Sequence, residues 1–234
     1  MDPADQLRAI AGEVVACQRC PRLRRYCEEV ARVKRRAYRD WEYWGNPVPG
    51  FGDPRAQVLI VGLAPAAHGA NRTGRVFTGD RSGDFLYRAL HRCGFASQPQ
   101  ARSRDDGLEL RNVYIAAAVR CAPPGNKPAT EEFRRCRPFL ERELDALAGL
   151  RVVVGLGKLA FDVYLSILKD RGIIRSRAGF PFGHNVEYRV AAGQPVLVGS
   201  YHPSQQNTST GKLTEQMLQD VFTRVKRWAP PKAK

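Results

Sequence analysis

The chain has 234 residues, 43% of them apolar, enough for one well-filled core and short for two independent domains, so a single domain over 1–234 is expected. Lysine and arginine number 38 against 23 acidic residues, a formal charge of +15 that implies a polyanionic partner, with nucleic acid the leading class. No apolar run approaches the roughly 20 residues of a spanning helix, which excludes a membrane-embedded class, and the opening MDPADQLRAIAGEVV lacks the cationic-then-apolar order of a signal peptide, which predicts a cytoplasmic protein.

Residues 4–16 read as an amphipathic helix. Residues 22–39 read as a second, with Leu23, Tyr26, Val30 and Val33 at spacings of three and four, an arginine-rich opposite face, and Pro21 in the first turn. The stretch 41–54, rich in glycine, proline and aromatic residues, interrupts regular structure. Apolar strands then alternate with helices: a strand at 58–63, a long loop, a helix at 82–93 and a strand at 112–119. A helix follows at 130–147, with Thr130 as N-cap and Glu131 and Glu132 in its first turn. A strand at 151–156, a helix at 158–168, a strand at 195–200 and a helix at 212–228 complete the chain before a basic tail. Continuous apolar strands separated by helices define an α/β fold, a three-layer sandwich with a central, mostly parallel sheet flanked by helices. Sites in such sheets gather at the carboxyl ends of the strands. That rule selects the loops 64–83, 122–129 and 201–211, and the turn at Gly157.

Six cysteines in a cytoplasmic chain are expected as thiols rather than three disulfides. Cys17 and Cys20 form a C-x2-C pair, a spacing that turns two sulfurs toward one ion. Cys121 closes a strand, and Cys136 follows after fourteen intervening residues. These four are candidate metal ligands, whereas Cys27 and Cys93 each stand alone on a helical pattern and read as small buried apolar residues. Thiolates accept zinc and iron–sulfur clusters alike, although the wide second pair does not suit an ordinary zinc ribbon.

The first loop reads GLAPAAHG from Gly62 and continues as NRTGRVFTGDRSG to Gly83; the last reads HPSQQNTSTGKLT from His202. Small residues directly after a strand let a bound group approach the main chain, and a histidine heading the last loop can be aimed into the same cleft. In order along the chain, these two loops, the four cysteines and the segments RTGRVFTGDRSG and VRCAPPGNKP resemble the uracil-DNA glycosylase superfamily, specifically its family 5 branch. The likeness runs from about Cys17 to the final helix.

The resemblance implies a DNA repair enzyme that flips uracil from double- or single-stranded DNA and hydrolyses its N-glycosidic bond. It implies a [4Fe–4S] cluster on Cys17, Cys20, Cys121 and Cys136, with zinc as the alternative metal. His202 is then the hydrogen-bond donor to the uracil O2 region, a task that a neutral imidazole performs. Phe77 stacks beneath the base, and Asp80 and Asn126 stand around the base and the attacking water. Gly62, Ala64, His68, Ser204 and Asn207 complete the substrate-binding set. No lysine sits in a pattern that demands a Schiff base, so a monofunctional enzyme is expected, acting as a monomer.

Two positions depart from the better-known glycosylase families, which carry a carboxylate or amide at Ala64 and a uracil-reading asparagine at Ala117. Their loss predicts water positioned by main chain near 62–64 together with Asp80, and base discrimination relaxed enough to admit hypoxanthine. Asp80 also suits a helix N-terminus, Asn126 a turn, and Phe77 the core. His91 and His184 read as structural or surface residues. SQQN offers no apolar wedge for the vacated stack. Two other classes explain parts of the chain. Gly155, Gly157 and Ala160 make a G-x-G-x-x-A turn of the Rossmann oxidoreductase kind, but no acidic residue ends a strand about twenty positions on. A non-catalytic nucleic-acid-binding metalloprotein accounts for charge and cysteines and leaves the two loops unexplained.

Overall fold

In the computed structural model, which describes residues 2–232, the chain opens with Pro3–Val15 (α1) and Pro21–Val33 (α2). Both helices begin at a proline, whose fixed φ suits a first turn. The second ends earlier than its spacing predicts: Lys34 takes a φ of 57°, and the residues beyond it form only a single 3-10 turn at Arg36–Tyr38.

Six strands form one sheet: Phe51–Gly52 (β1), Val58–Gly62 (β2), Val113–Ala117 (β3), Val152–Leu156 (β4), Glu187–Tyr188 (β5) and Val196–Ser200 (β6), in the order β1-β3-β2-β4-β6-β5. The four longer strands are parallel, with Val58 opposite both Val113 and Val152, and Val152 opposite Val196. All their residues are buried, because helices cover both faces. The remaining helices are Ala70–Thr73 (α3), Arg81–Arg92 (α4), Thr130–Ala146 (α5), Lys158–Asp170 (α6), Gln205–Ser209 (α7) and Glu215–Lys226 (α8). Side chains alternate between the two cores. Val58, Ile60, Val152 and Val198 pack with Leu86, Leu90, Leu218 and Phe222 of α4 and α8. Leu59, Val61, Val153 and Leu197 pack with Ile10, Leu140 and Leu165 of α1, α5 and α6. The expected three-layer α/β sandwich is present.

The differences from the sequence expectation have local causes. The antiparallel edges β1 and β5 are two residues long, too short to carry a periodic pattern. The loop expected at 201–211 holds a short helix, α7, capped by Ser204, and the final helix starts at Glu215 rather than 212, with Thr214 capping α8 by accepting from the Met217 N–H at 3.2 Å. The N-cap of α5 is Ala129 rather than Thr130. There the Glu132 carboxylate reaches back to the Ala129 N–H at 2.7 Å and also takes Arg22 at 2.7 Å, joining α5 to α2.

Part of the cationic surplus is internal. Arg75 makes a two-pronged contact with Asp106, and Arg120 is buried against Glu143 with 3.1 Å between Nη1 and Oε1. In the basic tail Lys232 is bound to Asp53 and to the Arg55 carbonyl. Among the described residues no helix is long and apolar enough to cross a membrane.

Candidate active site

After β2 the chain adds β3 on one side and then β4 and β6 on the other, and the crevice at such a reversal is where open α/β sheets bind ligands. A pocket with about 380 Å³ of free space lies there. Gly62, Ala64, Pro65 and Ala66 line it from the end of β2, Ala117 from β3, Phe77 and Asp80 from the long loop, and His202 from the end of β6. Ala64 and Ala117, the two positions that lack a polar side chain, therefore both form its wall.

Phe77 sits at a φ of 51°, a conformation that costs a bulky residue about 1–3 kcal/mol and persists only where the surroundings enforce it. They do so here: the Phe77 carbonyl lies against Gly83, where a Cβ would come within 1.8 Å of it, and the Thr73 hydroxyl donates to the Thr78 carbonyl at 3.1 Å. The ring then lies over Gly62, at which a Cβ would fall 2.7 Å from it.

His202 is held from behind. Asn207 Nδ2 donates to its carbonyl at 2.9 Å, and Gly157, at a φ of 88°, leaves only 3.3 Å between its missing Cβ position and His202 Cβ. Burial lowers the imidazole pKa to about 4, so the ring is neutral at pH 7. His184, read from sequence as lacking context, stacks on Tyr201 with centroids 5.0 Å apart and accepts its N–H at 3.2 Å, which fixes the residue preceding His202.

Asp80 combines its two expected positions. It caps α4 by accepting from the Gly83 N–H at 2.9 Å, and it also lines the pocket, with its carboxylate against Gly69, where a Cβ would lie 1.9 Å from Oδ2. Burial raises its pKa.

The other candidates fall outside the pocket lining. Asn126 is exposed in a short 3-10 turn at a φ of 57°, the turn role that its Pro/Gly surroundings favour. His68 faces Tyr43, with 3.1 Å from Nδ1 to the phenolic oxygen, and its pKa is lowered by burial and then by Arg35 and Arg72. Ser204 and Asn207 act on the His202 loop, Ser204 accepting from the Asn207 N–H at 3.4 Å. Arg72, not singled out by sequence, lies between the rings of Tyr38 and Trp41 at 4.0 and 4.1 Å. It donates to the carbonyls of His68 and Gly79, so it joins the two halves of the first loop. No regular spacing announces such a cross-loop contact.

The G-x-G-x-x-A turn serves packing. A Cβ at Gly155 would meet Phe161 Cα at 2.7 Å, and Gly157 backs His202.

Cys20, Cys121 and Cys136 are buried in one cluster, and Cys17 is half-buried at the end of α1. Cys27 belongs to the same cluster, contrary to its reading as an isolated residue: it is fully buried beside Cys121, with its sulfur 3.6 Å from the Ala122 carbonyl. Its seven-residue offset from Cys20, two helical turns, was the available signal. Burial pushes the Cys20 thiol up to about 11, and Cys136, Cys121, Glu132 and Cys17 add to the effect. Burial likewise takes Cys136 to about 11, while Cys121 is driven up first by its hydrogen bond with Cys27. Among the described residues no three His, Cys, Asp or Glu side chains converge closely enough to hold one metal ion.

An aromatic platform, a neutral imidazole and a wall of small residues, set at the switch point of a parallel sheet, define an α/β protein that accepts a flat heteroaromatic ring. The chain belongs to the uracil DNA glycosylase superfamily, whose family model matches residues 49–226. A type-5 uracil-DNA glycosylase of Mycobacterium bovis is 50% identical over 217 residues, covering 92% of this chain and 79% of the relative. One from Thermus thermophilus is 48% identical over 94% of this chain and 97% of its own length. A type-4 uracil-DNA glycosylase of Sulfurisphaera tokodaii is 25% identical over 93% and 84% respectively.

Proposed function

We propose that this chain is a DNA repair glycosylase that flips uracil from double- or single-stranded DNA, hydrolyses its N-glycosidic bond and leaves an abasic site. The observation that carries the reading is His202, a donor held neutral across from Phe77 in the pocket. When the N1–C1′ bond breaks, its electron pair stays on the base and negative charge spreads to the carbonyl oxygens. A fixed N–H donor at that point stabilises the departing anion with no reorganisation. Phe77 supplies the stacking face for the extruded ring. The water oxygen bonds to C1′ and its proton passes to Asp80, whose raised pKa suits a carboxylate to that task.

The relatives named type-5 uracil-DNA glycosylases support uracil as the base. Because Ala64 and Ala117 offer no polar side chain to test an exocyclic group, hypoxanthine is a second substrate. No lysine is among the residues lining the pocket, which supports hydrolysis without strand cleavage.

Cys17, Cys20, Cys121 and Cys136 fit a [4Fe–4S] cluster. Burial raises the Cys20 and Cys136 thiols, so these two need a cationic centre to become thiolate. Four thiolates around one zinc ion at about 2.3 Å would stand roughly 3.8 Å apart. A [4Fe–4S] cluster takes one thiolate at each iron, four in all. Held by these residues, such a cluster would cross-link the N-terminal helices to the loop after β3 and to α5.

The test is single-turnover excision from a uracil-containing oligonucleotide followed by alkaline cleavage. Wild-type protein yields cleaved strand, and His202→Ala is slower by about 10²–10³. Absence of abasic product with the wild type would overturn the reading.

A further inference from the structure

We propose that Leu159, in the first turn of α6, is the wedge that enters the base stack when the nucleotide is extruded; the role rests on the glycosylase reading above. Extrusion leaves a gap in the duplex, and an apolar side chain inserted between base steps holds that gap open. The loop after His202 does not supply one. Its exposed side chains up to Thr210 are Gln205, Gln206, Ser209 and Thr210, all polar, while Ser204 and Asn207 are engaged in capping α7 and holding the His202 carbonyl.

Among the described residues the exposed large apolar side chains are Val33, Trp41 and Leu159. Val33 ends α2, and Trp41 is stacked on Arg72. Leu159 is 51% exposed and belongs to the same edge of the sheet as the pocket. It follows β4, which lies between β2, the source of Gly62, and β6, the source of His202. Two residues before it, Gly157 packs directly against His202. A lone exposed leucine needs no explanation on an ordinary surface. This one follows the end of β4, at the carboxyl edge of the sheet where the pocket lies, in a chain with a +15 charge.

The gap exists only in a duplex, so the test compares strands. Leu159→Ala lowers single-turnover excision from duplex uracil about tenfold more than excision from single-stranded uracil, a difference of roughly 1.4 kcal/mol. Leu159→Met restores the duplex rate to within about twofold of wild type, since an unbranched apolar side chain still fills the gap. A 2-aminopurine placed beside a non-hydrolysable uracil analogue reports less unstacking with Leu159→Ala than with wild type. Equal losses on both strands, or an unchanged duplex rate, would overturn the proposal. Failure of the wild type to excise uracil from either strand would remove the glycosylase reading itself, a result distinct from any change in strand preference.

Discussion

The rings of Phe77 and His202 stand 5.8 Å apart between centroids, tilted by 34°, although they come from the loops after the first and the last of the parallel strands. Each depends on a glycine beneath it: Gly62 under the phenyl ring and Gly157 behind the imidazole. Strand β2, which ends in Gly62, and β4, which ends one residue before Gly157, are neighbours in the sheet, so the backbone of the core fixes the spacing of the pair.

The His202 pKa sets a pH dependence with a definite sign. Its folded value is about 4, against an ordinary 6.5. The neutral donor survives to about pH 4, so the acid limb of the single-turnover rate that reports this group falls near pH 4 rather than near 6.5. Between those values the unfolded chain takes up a proton that the folded chain refuses, so stability falls as pH drops through this window and levels off below it. His202→Gln flattens that part of the thermal-unfolding profile. An acid limb at 6.5 that vanishes in the variant would contradict the buried, neutral ring.

Gly62→Ala places a Cβ 2.7 Å from the Phe77 ring, which has to leave its position over the strand. Gly157→Ala brings a Cβ to 3.3 Å from His202 Cβ and also strains a φ of 88°. Both variants are expected to slow excision by at least about tenfold, because a displacement of about 1 Å is enough to spoil a positioned donor or platform. Gly12→Ala, with nothing within 4 Å of its Cβ, serves as the control. Wild-type rates in either pocket variant would show that the ring pair tolerates displacement.

The sheet, its order of helices and the two motif loops were legible because each rests on a local pattern: unbroken apolar runs for buried strands, and small residues directly after them. Ala64 and Ala117 could be located by the same logic, since one follows a strand and the other ends one. For Asn126 a Pro/Gly loop gives no bearing on direction; in the structure it sits exposed at a positive φ, the turn reading its surroundings also allowed. Cys27 was read as solitary because its neighbour Cys121 is distant in sequence. The roles of His184, Arg72 and Gly157 depend on contacts between loops, for which no periodicity exists.

The cysteine set predicts a coloured protein. Serine at Cys17, Cys20, Cys121 or Cys136 is expected to lower iron and acid-labile sulfide from about four of each per chain and to bleach the visible absorbance. It should also lower Tm, because α1 and α2 lose one of their ties to α5. Cys93→Ser leaves both metal measures intact, since Cys93 packs in the other core, near α8. A colourless wild-type protein holding one zinc would overturn the cluster.

Asp80 caps a helix and lines the pocket, and asparagine separates these two duties. Asp80→Asn keeps an N-cap acceptor for the Gly83 N–H, and asparagine caps about as well as aspartate, so unfolding free energy should change by less than about 1 kcal/mol. The amide cannot take a proton from water, so the single-turnover rate is expected to fall by about 10²–10⁴, the usual worth of a general base. Asp80→Ala should lose the same rate and, in addition, about 1 kcal/mol of stability with the cap. If Asp80→Asn excises uracil at the wild-type rate, the carboxylate's only duty is the helix, and the water must be held by the main chain of the Gly62–Ala66 turn.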